Sequence, residues 1–157
     1  MKKLISILTI TFVFASQQPA SAQSKQKAEK EFLGLLNSIL IHSKQQHWAF
    51  EGAMTIDSAF AITREGILSV TVSYTTDSGI VRCRLEAPVN KMVKVSYDLF
   101  IILECKDRSV TFYQSEPGSN ELKEAGKTDL FHVGAPVAGG MVYQKNLQKA
   151  LERLLGR

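Results

Sequence analysis

Ile67-Leu68-Ser69-Val70-Thr71-Val72-Ser73-Tyr74-Thr75, then Thr76-Asp77-Ser78-Gly79, then Val81-Arg82-Cys83-Arg84-Leu85-Glu86-Ala87, is the stretch on which the fold turns. Leu68, Val70, Val72 and Tyr74 fall on one side of an extended chain, with Ser69, Thr71 and Ser73 on the other. The second run sets Val81, Cys83 and Leu85 against Arg82, Arg84 and Glu86 in the same way. A repeat of two marks a strand with one buried face, and two such runs joined by a short Asp/Ser/Gly link predict an antiparallel hairpin. Pro88 and Asn90 end it.

Outward from this hairpin the same period continues. A strand is expected over Ser58 to Arg64, closed by Glu65-Gly66, and others over Met92 to Tyr97, Leu99 to Cys105 and Val110 to Gln114. Lys106-Asp107-Arg108 supplies the turn between the last two, and Leu130 to Val133 can add one short strand. Residues 115–129 are polar, contain glycine and lack large apolar groups, so they read as a surface loop. About six sequential strands in this order predict a curved antiparallel sheet.

At both ends the period changes to that of a helix. Between Ser24 and Ser43, residues Ala28, Phe32, Leu35, Leu36, Ile39 and Leu40 recur at intervals of three and four, which makes one amphipathic face. From Val142 onward Tyr143, Leu147, Ala150, Leu151, Leu154 and Leu155 form a second stripe, and Gly156 stands where a helix C-cap glycine belongs. The fold class is therefore α+β, with two helices against an antiparallel sheet. In the order of its elements, the stretch from 48 to 156 resembles the pleckstrin-homology-like partial barrel, in which a final helix plugs one end. It is also similar to a cystatin-like arrangement, with the first helix cradled by the sheet. Neither resemblance carries a function.

Residues 1–22 read as a secretory signal peptide. Met1, Lys2 and Lys3 are followed by an uncharged, mostly apolar run from Leu4 to Ala15, and Ala20-Ser21-Ala22 matches the small-residue cleavage pattern. That apolar run has 12 residues, too few to span a hydrocarbon core about 30 Å thick. Cutting after Ala22 would leave one domain, residues 23–157, exported to the periplasm or the medium, with no membrane span. Its charge is small: 19 Lys and Arg less Lys2 and Lys3 leave 17 against 15 Asp and Glu, or +2. So weak an excess predicts neither nucleic-acid binding nor strong attraction to anionic membranes.

Cys83 and Cys105 are the only cysteines. Each falls in phase with apolar neighbours, Cys83 with Val81 and Leu85, and Cys105 with Leu99, Ile101 and Leu103, so both sulfurs point inward. In an oxidising compartment they form a possible disulfide if their strands adjoin, and otherwise serve as small buried apolar groups.

The search for chemistry is mostly empty. There is no G-x-S-x-G, H-E-x-x-H or G-x-G-x-x-G motif, and the glycine-rich stretch 134–140 lacks the Lys and Ser/Thr of a phosphate-binding loop. His42 and His47 are five apart, off the helical spacing for two ligands on one face, and His132 is remote in sequence. No catalytic set, metal site or cofactor is expected. What remains is an apolar surplus. Leu99-Phe100-Ile101-Ile102-Leu103 is apolar on both faces, so something must cover each. Trp48, Phe50, Phe100, Ile102 and Tyr113 are the candidate lining of a binding surface. The expectation is a non-enzymatic binding or accessory module for a protein partner or a small apolar ligand. The alternatives are a small hydrolase-like enzyme whose residues converge only in space, for example around His132, and a structural envelope protein.

Overall fold

The computed structural model describes residues 20–46 and 54–157. The hairpin forms as its alternation predicts: β2 (Ile67–Thr76) pairs with β3 (Gly79–Pro88) in one unbroken antiparallel register from Ile67↔Pro88 to Thr76↔Gly79. β1 (Thr55–Ile62) flanks β2, so the first three strands make a meander. The meander then stops. A 3-10 turn at Val89–Lys91 redirects the chain, and β4 (Met92–Asp98) with β5 (Phe100–Cys105) begins a second sheet instead of extending the first.

The free edge of β3 is taken instead by β6 (Val110–Gln114), through Leu85↔Phe112 and Arg84↔Tyr113. The stretch expected to be a surface loop holds a further strand, β7 (Lys123–Thr128), paired to β6 from Val110↔Thr128 to Gln114↔Lys123. It escapes detection because it is an exposed edge strand, held by main-chain pairing with no apolar face of its own. Asp129 alone separates it from β8 (Leu130–His132), which crosses to the second sheet and pairs with β5. Among the described residues the result is eight strands in two antiparallel sheets, ordered β1-β2-β3-β6-β7 and β4-β5-β8. The sheet is not closed into a barrel.

Both helices form and bury the predicted stripes. α1 (Ala20–Gln46) buries Ala28, Phe32, Leu36, Ile39 and Leu40, and α2 (Gly140–Leu155) buries Leu147, Ala150, Leu151 and Leu154. α2 ends as expected on Gly156, whose left-handed φ of 69° lets Arg157 N–H reach Glu152 O at 2.9 Å. The helices pack on each other, α1 against β1 and α2 against β4 and β5, rather than one plugging a barrel. Their stripes join Ile101, Leu103 and Phe131 in one core, where the Phe60 and Phe131 rings lie 5.9 Å apart. Every described buried residue of α1 lies beyond Ala22, so the expected cut would leave this core intact. No described helix is long and apolar enough to cross a membrane.

The helices also seal two sheet edges with amide side chains. Asn37 of α1 accepts the Phe60 N–H at 2.8 Å and donates to the Phe60 carbonyl at 3.1 Å. Gln148 of α2 accepts the Val95 N–H at 2.7 Å, while Gln144 donates to the Val95 carbonyl at 3.1 Å. An unpaired main-chain group invites a foreign strand, and these amides occupy it.

Leu99 corrects a further expectation. It was phased with Ile101 and Leu103 but forms the turn between the paired Asp98 and Phe100, with φ 61° and 67% exposure. The rest of its stretch is apolar on both faces as read, since Ile101, Ile102 and Leu103 are all buried.

A candidate apolar cleft between the sheets

Register decides what faces the space between the sheets. Directly opposed residues share a face, so Val72, Cys83, Leu85, Phe112, Gly126 and Thr128 all stand on the inner side of the five-stranded sheet. The other side is polar: Arg82 Nε meets Asp57 Oδ2 at 2.9 Å, Ser73 donates to the same oxygen, and Arg84 Nε donates to Thr71 at 3.1 Å. On the three-stranded sheet Phe131 points into the core, while its neighbours Leu130 and His132 share the opposite face with Ile102 and Phe100.

Between these surfaces lies a cleft of about 570 Å³. Val72, Tyr74, Leu85, Phe100, Phe112 and Leu130 supply most of its apolar wall, and His132 and Thr128 also line it. Leu130 is 42% exposed, so apolar surface continues onto the rim. The His132 ring stacks on Phe100, with centroids 5.2 Å apart and 25° between planes. The turn at Gly134 also lines the cleft; its φ is 71°, and a Cβ there would collide with Ser43 Oγ. Both the backbone and the close approach of α1 therefore require glycine there. Gly126 is the reverse case. Its φ is ordinary, a Cβ would meet nothing within 4 Å, and the missing side chain leaves the cleft open in front of Phe112.

The candidate residues read from sequence fare unevenly. Phe100 lines the cleft, and Ile102 is buried beside it on the same face. Tyr113 pairs with Arg84 and so belongs to the polar outer face, away from the cleft. The alternation that puts Val110 inward already puts Phe112 inward and Tyr113 outward, and that phase was the available signal. Trp48 and Phe50 lie outside the described residues. Leu130, Thr128 and Gly126 carry no local signal as cleft residues, because the pairing of β7 to β6 brings Gly126 and Thr128 there and the crossing from β7 to β8 brings Leu130.

The cysteines do not bond. Cys83 is on β3, flanked by β2 and β6, and Cys105 is on β5, flanked by β4 and β8. The two strands belong to different sheets, and the thiols are not within bonding distance of each other. Burial pushes the Cys105 thiol up to about 11 and also raises that of Cys83, so both are protonated at neutral pH. The histidines stay apart as well. His42 Nδ1 lies 2.7 Å from the Ser38 carbonyl on α1, His132 is in the cleft, and His47 is outside the described residues. Among the described residues no three His, Cys, Asp or Glu side chains converge as metal ligands would.

No family model matches the chain, and no curated protein or solved structure is detectably similar to it.

Proposed function

We propose that this protein is an exported, non-enzymatic binding module that holds a small apolar ligand in the cleft between its sheets. The observation that carries the reading is the cleft itself: about 570 Å³, walled mostly by Val, Leu and aromatic side chains, with a few polar groups among them. Ligand sites in proteins are typically of this volume and composition, and a wall of this kind gains when an apolar ligand displaces water from it. Export rests on residues 1–22, where a basic start, an apolar run and a small-residue cleavage pattern follow in order.

Gly126 makes the reading testable. A Phe at this position meets no backbone strain and projects into the cleft beside Phe112. Titration with the fluorescent apolar probe N-phenyl-1-naphthylamine should saturate at one probe per chain. Gly126→Phe should weaken it at least about ten-fold, roughly 1.4 kcal/mol, while thermal unfolding stays cooperative. Gly126→Leu, a smaller plug, should fall between. Absence of saturable binding, or equal affinity in all three proteins, overturns the proposal.

A further inference from the structure

The cleft differs from the rest of the surface in its charge. Among the described residues that line it only Lys127 carries a permanent charge, and none is a carboxylate. Lys127 stands opposite Thr111, which in turn stands opposite Glu86, so the lysine side chain belongs to the outer face with Arg84 and Glu86. The side chains that do turn inward are uncharged. Burial raises Cys83 and lowers His132, and burial first and the neighbouring Cys83 second raise Tyr74, so all three shifts favour the neutral form. A charged ligand would meet the same penalty with no partner to offset it.

The hydrogen-bonding groups on the cleft wall are the Tyr74 hydroxyl and, on the segment that runs from β7 into β8, Thr128 and His132. Thr128 Oγ1 already accepts the Leu130 N–H at 3.3 Å. His132 offers an imidazole, which in its neutral form has one donor and one acceptor. Its main chain adds to this. Cys105 N–H bonds to Asp129 O at 2.7 Å and Val133 N–H to Ile101 O at 2.8 Å, so residues 129, 131 and 133 face β5. Alternation then turns the His132 N–H and C=O to the opposite, open side of β8. The helix amides that seal β1 and β4 have no counterpart at His132 among the described residues.

Resting on the ligand-binding reading above, we propose that the cleft selects an uncharged, mostly apolar molecule with one hydrogen-bonding head, a hydroxyl or a carbonyl. The head sits at His132, and the apolar body lies against Val72, Leu85 and Phe112. A neutral head can use either nitrogen of the imidazole, whereas a carboxylate or an amine enters without a counter-charge.

Three probes that share one alkyl chain separate the possibilities: 1-decanol, decanoate and decylammonium, each competed against bound N-phenyl-1-naphthylamine at pH 7.5. The protein is that purified from cells expressing the full chain. Decanol should displace the reporter at a concentration at least about ten-fold lower than either charged probe. His132→Leu should weaken decanol about five-fold, the loss of one neutral hydrogen bond, and His132→Gln, which keeps a donor and an acceptor, should restore most of it. If decanoate or decylammonium competes as well as decanol, or if His132→Leu leaves decanol unchanged, the proposed ligand class is wrong. Should the reporter bind and be blocked by Gly126→Phe while none of the three probes displaces it, the class fails and the cleft reading stands. A reporter that never binds defeats both.

Discussion

Leu68 and Tyr74 stand on the same side of the same strand, yet one is sealed and the other is not. Leu68 has no exposed surface and belongs to the core that contains Phe32 and Leu36 of α1, whereas Tyr74 is half-buried in the wall of the cleft. On the partner strand Ala87 is buried opposite Leu68, while Leu85 is half-buried in the cleft wall. Both ends are apolar by sequence. The alternation decides which face is apolar, and the elements laid over that face decide how much of it water can reach.

The sealed end should be expensive to disturb. Removing residues 143–157 takes away Leu147, Leu151 and Leu154 together with the glutamines that cap Val95, so cooperative unfolding is expected to vanish in a thermal melt. A truncated chain that melted cooperatively near the full-length temperature would remove α2 from the account of stability. Next in size is a direct contrast between the two ends. Leu68→Ala should cost about 2–5 kcal/mol in urea unfolding, as for a fully buried leucine. Leu85→Ala, from the half-buried cleft wall, should cost about 1 kcal/mol or less. Equal costs would abolish the distinction between core and cleft.

The smallest effect expected is a pH dependence. Burial holds His132 below its ordinary 6.5, so the unfolded chain takes up the proton first as pH falls. The stability this residue lends is complete above pH 6.5 and is lost as pH drops from there through the folded-state value. The ring keeps substantial solvent contact, so the fall in melting temperature from about pH 7.5 to 5 should be small, and His132→Leu should flatten it. An unchanged pH profile in the variant would place the dependence elsewhere.

Much of the fold is legible along the chain because burial imprints a period. The β2–β3 hairpin, the stripes of α1 and α2 and the C-cap at Gly156 all follow from spacing, since each buries one continuous face. β7 is not legible for the complementary reason: it buries no face, and main-chain pairing leaves no mark on side-chain choice. The same limit applies to the cleft. Phe100 is reachable through its doubly apolar strand, and Phe112 through the phase of Val110, while Gly126 needs the pairing of β7 to β6 and His132 the crossing after Thr128.

Residue order alone settles the class of the fold, the inward or outward side of most patterned positions, Leu99 excepted, and the near absence of net charge in the expected mature chain, because these depend on neighbours a few positions apart. Which strands meet does not follow from that order. The departure of the chain after Pro88, the return of β6 to β3 and the placing of β8 in the second sheet are long-range choices. They separate Cys83 from Cys105 and leave one apolar face partly uncovered, since closing a sheet rewards contacts between distant segments that no local period encodes.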